Sequence, residues 1–348
     1  MNPLLVKPTD YFHHFQSMKL TVSFMLLKNY SVVLKLMGRT GKDMDNTKPI
    51  IKYLDVLIIL LLLIVTILGV CSFHTSFSYE FVNQYGQKVQ MWGAGIYAHD
   101  SYFKAPIFIG SDFTILLFVV PLSIVTFFKA KKKQSVEYDI RSFGIVSLLL
   151  YYSASLAFGV TYNRLHLIYI ALFGMCSFSV SVLFAKLHAA GVRQGKVCSY
   201  PFTKGMKVFL LAAGISLFAA WLPDIIISVA KGTSLELIEV YTTEITYVLD
   251  MGIISPLIFI TYYLVRHGNF IGYVFLRMIF KICMCIGIML PVQTFFQLSA
   301  GISIPIPALI TKCLTFVVMA FFAAYFDYRL KRETHYISSV DNYNEGRH

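Results

Sequence analysis

LDVLIILLLLIVTILGVCSF, Leu54–Phe73, is twenty residues long and carries one charge, Asp55. A helix of that length rises about 30 Å, the thickness of a bilayer's hydrocarbon core. Seven further apolar blocks follow. They run over 112–128, 142–162, 165–187, 207–230, 243–265, 270–298 and 306–328, with the first extending over 52–73. Each is continuously apolar rather than alternating, which excludes the ten-residue rhythm of a membrane β-barrel. The fold class predicted is all-α, a polytopic transmembrane bundle of about eight helices.

Composition agrees. Hydrophobic residues make up 57% of the chain and charged residues 14%, whereas soluble domains carry about 25% charge. The net charge of +12 is not a nucleic-acid footprint, because the basic residues gather at the ends of apolar blocks and form no basic, aromatic groove. Lys129, Lys131, Lys132, Lys133 and Arg141 lie between blocks two and three, and Arg193, Lys196 and Lys204 between four and five. Arg266 and His267 separate six from seven, and Arg329, Lys331 and Arg332 follow eight. The alternate connections are poor in Lys and Arg. Under the positive-inside rule the basic connections are cytoplasmic, as are both termini.

The chain divides into a basic extension (1–43), a first four-helix half (44–190) with a long outer loop (74–111), a second half (191–332) and a polar tail (333–348) that reads as mobile. The extension reads either as an interfacial helix on the inner leaflet or as untranslated sequence before a start at Met44. The halves echo one another. VVPLSIVTFF, Val119–Phe128, aligns with ISPLIFITYY, Ile254–Tyr263, matching Pro121 with Pro256, Leu122 with Leu257 and Thr126 with Thr261. Four spans per copy make the copies parallel, and transporter folds built from repeats place their site between the halves. Each proline removes a backbone donor in mid-helix and favours a kink that must be re-satisfied locally.

Candidate binding residues are those that lipid should exclude. Lys281 lies about eleven residues into block seven, about 16 Å from its start at 1.5 Å per residue, which places it near the midplane. Arg277 precedes it by one turn, and Gln293 and Gln297 follow on the same helix. Asp250 in block six is the natural counter-charge, pairing with Lys312 or, by a longer reach, Lys281. Glu244 suits the positive end of block six, capped by Thr242 or Thr243. Asp112 begins block two. Trp221, near Asp224, reads as an interfacial anchor. Tyr151, Ser155, Gly159 and Tyr162 form a polar stripe on block three, with Tyr152 beside it; His166, Tyr169 and Cys176 share a face of block four. Ordinary packing explains these tyrosines best, and a polar cavity lined by blocks three, four and seven is the sharper alternative.

The outer loop, YGQKVQMWGAGIYAHDSYFKAPIFIGSDF from Tyr85 to Phe113, is rich in glycine and aromatics. It is apolar enough to lie on the membrane or plug the outer mouth of the bundle, with Gly93 and Gly95 making tight turns. His99 and Asp100 are adjacent and so do not face one another as an acid–base pair. The six cysteines show no ligand spacing and read as small buried apolar residues. The histidines form no opposed pair for haem. No cofactor and no metal are expected, and no catalytic motif is present.

GIYAHDSYFKAPIFIGSDF with VVPL, TYNRLHLIYIALF, and YTTEITYVLDMGIISPL with QTFFQLSAG together resemble a group of uncharacterised bacterial multi-pass membrane proteins. The resemblance covers about Met44 to Arg332 and implies a bacterial inner-membrane location without an activity. Three function classes follow from the residues. The first is a small-solute transporter with a polar site between two halves. The second is an intramembrane enzyme on a lipid or lipid-linked substrate, using Asp100, Asp112 or Glu244. The third is a non-catalytic subunit or sensor. The partners expected are membrane lipids and a small molecule or lipid.

Overall fold

The computed structural model describes residues 48–133, 135–194 and 201–345. The extension 1–43 lies outside them. Eight long helices follow in order. Helix α1 is Lys48–Val70. Helix α2 runs Ala105–Thr114, through a π turn Ile115–Val119, into Val120–Lys133. Helices α3, α4 and α5 are Val136–Gly159, His166–Gln194 and Lys204–Lys231. Helix α6 runs Ile245–Leu249, through a π turn Asp250–Ile254, into Ser255–Arg266. Helix α7 is Phe270–Ser299. Helix α8 runs Ile306–Leu309, through a π turn Ile310–Leu314, into Thr315–Glu345. Helices α1 to α7 are each long and apolar enough to cross a membrane, and the protein is a helical membrane bundle.

The helices start where the sequence can satisfy orphan amides. Ser135 accepts from the Glu137 amide at the start of α3, Thr203 from Met206 at α5, and Asn269 from Ile271 at α7. Large apolar side chains remain exposed along the outside, among them Leu60 and Ile64 on α1 and Phe321 on α8. In water these would be a liability; against lipid they need no cover.

Two boundaries differ from the sequence reading. Helix α2 begins at Ala105, not Asp112, because Pro106 sits at its first turn, where a missing N–H costs nothing. Its glycine and polar residues had placed this stretch in the loop, which ends instead near Lys104. The stretch 333–345, the polar tail of the sequence reading, continues α8 as helix.

The outer loop contains a hairpin that the sequence reading lacked. Strands β1, Tyr79–Val82, and β2, Lys88–Met91, pair antiparallel with Tyr79 opposite Met91. Asn83 organises the turn: its side-chain oxygen accepts from the amides of Tyr85 and Gln87, an Asx-type turn. Beyond the hairpin, Gly93 and Gly95 take φ of +77° and +63°, the tight turns expected of them.

The connections sort to two ends. The hairpin loop meets the α3–α4 turn where Thr161 N–H donates to Asp100 (3.0 Å), the α5–α6 loop where Asn83 Nδ2 donates to the Glu239 carbonyl (2.7 Å), and the α7–α8 turn where Tyr102 donates to the Ala300 carbonyl (2.9 Å). These are the connections poor in basic residues. At the other end Lys186 of α4 pairs with Asp139 of α3 at 2.7 Å.

The helices close into two rings in the same cyclic order. Helix α1 packs on α2, α2 on α3, α3 on α4 and α4 back on α1; α5, α6, α7 and α8 repeat the pattern. The rings meet along α3 and α7, flanked by α2 on α7 and α3 on α6. The matched prolines share one device. The residue before each proline donates its N–H five residues back, Val120 to Ile115 and Ser255 to Asp250. Widening the helix to a π turn relieves the clash between the proline ring and the preceding turn.

Candidate functional site

On the membrane-spanning helices two carboxylates are buried without a basic partner among the described residues. Asp112 on α2 is fully buried and Asp250 on α6 nearly so. Tyr97 donates to Asp112 Oδ2 at 2.6 Å, and Tyr152 donates to Oδ1. Tyr151 donates to Asp250 Oδ1 at 2.9 Å, and Trp221 Nε1 donates to Oδ2 at 2.8 Å. Each acid therefore rests on two aromatic donors.

The arrangement turns on α3. Tyr151 and Tyr152 are consecutive, so their side chains diverge by about 100° around the helix. From the seam between the rings one reaches the acid of the first ring and the other the acid of the second. Tyr152 was among the expected site residues; its bond to Asp112 joins two of them. The polar stripe on α3 is thereby partly engaged with the acid of the second ring and partly self-contained, since Ser155 donates to its own helix at Tyr151 O.

Helix α1 makes room for Asp112 with Gly69. A Cβ there would overlap the Asp112 carboxylate, whereas Gly174 on α4 has no atom within 4 Å of an added Cβ. Gly69→Ala is expected to cost about 1–3 kcal/mol, the usual range for overpacking, while Gly174→Ala stabilises slightly through helix propensity. Thermal melts of the two variants in one detergent check this. Equal melting temperatures would show that Gly69 is not a close-packing site.

Around the second acid the packing is looser. A cavity of about 50 Å³ opens inside the α5–α8 ring, lined by Asp250 and fourteen mostly apolar residues. The sharper alternative from sequence placed a cavity among α3, α4 and α7; the structure places this one in the second ring. In the first ring the space is taken by Tyr97, carried in by the outer loop and wholly buried. Trp92 holds that loop down, donating to the Ser72 carbonyl at 2.8 Å. The plug reading of the loop describes it.

The basic residues of α7 have other partners than the sequence reading expected. Arg277, almost wholly buried, donates through Nε to Asp327 of α8. Its Nη1 and Nη2 reach the Glu137 carboxylate of α3 at 3.3 and 3.2 Å, and Nη1 also donates to Tyr273 at 2.9 Å. Lys281 lies 4.0 Å from Asp327 and donates to the Arg277 carbonyl. The expected Asp250–Lys281 pair is not formed. Both oxygens of Asp250 face aromatic donors, and Lys281 turns towards the acids at the basic-loop end. The side chain of Lys312 lies outside the described residues.

Glu244 pairs with Lys104 rather than acting as a helix-end charge alone, and Lys104 also sits over the Tyr241 ring at 4.1 Å. Glu244 itself occupies the cap position of α6 with no side-chain cap bond, so neither Thr242 nor Thr243 caps that helix. Gln293 donates to Ser111 at 2.7 Å and Gln297 to the Phe103 carbonyl at 3.1 Å; both tie α7 to α2 and its loop. Trp221 is a donor to Asp250 stacked on Tyr247, a role beyond the anchoring expected of it. His99 meets Tyr79 at 3.2 Å, apart from Asp100. Cys71 is exposed, contrary to the buried reading, and Cys176 is buried; Cys198 lies outside the described residues.

At the hairpin end a second polar cluster joins the two outer loops. Tyr241 donates to Asp100 Oδ1 at 3.0 Å, and Ser101 donates to Glu239. Asp100 is fully buried, and its Oδ2 has no hydrogen-bond partner. Burial pushes its carboxyl up to about 7, against the bonds from Thr161 and Tyr241 that favour the ion. Burial likewise raises Glu239. The signal for this cluster in the sequence was acids in two separate outer loops; nothing local says that they meet. Asp100, Asp112 and Glu244, the acids an enzyme would use, are each engaged in these contacts.

Compared with protein-family models, curated proteins and solved structures, the chain matches none.

Proposed function

We propose that this protein is a small-solute transporter of the bacterial cytoplasmic membrane. Its basic connections face the cytoplasm, its rings α1–α4 and α5–α8 are parallel copies of one unit, and its site lies along their seam. The observation that carries the reading is the pair Tyr151 and Tyr152, which ties one buried carboxylate in each ring to the helix between them. A carboxylate held only by neutral donors can take up and release a proton, and such intramembrane acids mark ion and proton pathways. The repeated π turn beside Asp250 and after Asp112 gives each acid-bearing helix a point of local rearrangement.

The test uses the full chain in proteoliposomes with a pH-sensitive dye inside and an imposed proton gradient. A panel of small amines, acids and neutral solutes is added outside. One class is expected to move protons, and Asp112→Asn with Asp250→Asn abolishes that flux at unchanged protein abundance. A panel without flux, or flux untouched by both substitutions, overturns the reading. Impermeant thiol labelling of cysteines placed at Lys88 and Lys131 in intact cells tests the orientation; label at both positions would defeat it.

A further inference from the structure

We propose that the cavity inside the α5–α8 ring is a binding site for a small alkylammonium ion, with Asp250 as its counter-charge. The argument starts from volume. On the same measure one water needs about 10–15 Å³, so a cavity of about 50 Å³ holds a few waters or a cation of a few heavy atoms, such as a short-chain amine.

Charge and lining choose among small ligands. Asp250 is the one ionisable carboxylate on the wall, and no basic side chain lines it among the described residues. Tyr151 and Trp221 each use one lone pair of its oxygens. A carboxylate offers about four, so acceptor capacity remains for an N–H donor. Ser216 and Thr315 add two hydroxyl oxygens, and Ser216 spends its proton on the Ala213 carbonyl, which leaves its lone pairs as acceptors. A metal ion such as Ca²⁺ needs about six to eight oxygens, more than this wall supplies, and among the described residues no cluster of three metal-ligating side chains occurs. An ammonium has three donors and needs only three acceptors. Its alkyl part then meets the remaining apolar wall, where Met278 and Met319 offer adaptable thioethers.

The rings differ at this point. In the first ring Tyr97, carried in by the outer loop, donates to the buried Asp112, whereas Asp250 lines a cavity. The inference rests on the reading of Asp250 as a working carboxylate of a transporter, but binding is measured at equilibrium, apart from any movement across a membrane.

Trp221 supplies the readout, since it donates to the same carboxylate. The chain contains two tryptophans, so Trp92→Phe leaves Trp221 as the only one. Purified full-length protein in detergent is titrated with ethylammonium chloride at constant ionic strength, with sodium chloride as the blank. A saturable change in Trp221 emission is expected for methylammonium and ethylammonium, at least tenfold weaker for tetraethylammonium. Asp250→Asn is expected to weaken binding at least tenfold. Ala213→Leu, which fills the cavity and keeps the acid, should do the same, and circular dichroism establishes that both variants fold. No saturable signal, or equal affinity in either folded variant, or equal affinity for tetraethylammonium, overturns the proposal. Binding without flux in proteoliposomes would overturn the transport reading and leave this one standing.

Discussion

Replacing Arg277 with methionine is expected to cost about 3–5 kcal/mol of stability, the range for removing one partner of a buried ion pair. Arg277 is almost wholly buried on α7, while its acids stand on two other helices, Glu137 on α3 and Asp327 on α8. One guanidinium therefore holds three helices and both rings at the basic-loop end. Its removal leaves two carboxylates facing each other with less than their share of positive charge. Part of the loss is recovered locally: Arg141 remains 3.0 Å from Glu137, and Lys281 lies 4.0 Å from Asp327. The effect should thus fall nearer 3 than 5 kcal/mol. Arg277→Lys should restore only part of it, because a lysine cannot reproduce the forked contact with Glu137. Arg141→Met is the control, removing a part-exposed pair one turn apart that is worth well under 1 kcal/mol. Denaturant or thermal unfolding of the three variants in one detergent gives the comparison. If Arg277→Met were no worse than Arg141→Met, the network would be surface decoration rather than a tie between helices.

The same network shows what a sequence can and cannot disclose about such a bundle. An apolar run such as Leu54–Phe73 is a local property, so the spans and their alternation were readable residue by residue. Pro121 and Pro256 were readable too, because a missing amide has a local consequence, and both proved to follow a π turn. Partners were not readable. Lys281 meets Asp327 rather than Asp250 because of how α7 is rotated against α8, and rotation is set by packing along the whole helix. Asp250 finds Trp221, 29 residues back, and Tyr151, 99 residues back. Both are legible in the sequence, one as an anchor and one as part of a stripe, but no spacing rule joins residues on separate helices. The start of α2 was missed for the opposite reason. Gly110, Ser111 and Asp112 look like loop when read locally; Pro106 in the first turn and the close packing of Gly110 on the Gln293 backbone favour a helix there.

Acidification should tighten the docking of the two outer loops, and Asp100 sets the direction. Its carboxyl titrates near 7 in the folded protein against 3.8 for an unhindered aspartate, chiefly because burial disfavours the ion. Below about pH 4 the group is neutral in both folded and unfolded chains and contributes no pH dependence. Between about 4 and 7 the folded protein binds a proton that the unfolded chain has released, so stability falls as pH rises. Above about 7 the full penalty is present and the slope ends. The total has a ceiling of about 4 kcal/mol, at 1.36 kcal/mol per pKa unit. Local relaxation brings it lower; the pull of the Lys104 ammonium, already paired with Glu244, is contained in the value near 7. Glu239 moves in the same direction and adds to the slope. Asp100→Asn isolates the contribution. The amide oxygen still accepts from Thr161 and Tyr241, and its NH₂ takes the place of the unpartnered Oδ2, so the variant should be nearly as stable as the parent at pH 5 and more stable at pH 8. Hydrogen exchange at the Thr161 amide, which donates to Asp100, reads the docking directly: protection in the parent should fall from pH 5 to pH 8 after correction for the intrinsic rate, and in Asp100→Asn it should fall less. Protection that rises with pH, or a slope unchanged by the substitution, would mean that Asp100 is ionised in place and that the loops are held by the Lys104–Glu244 pair instead.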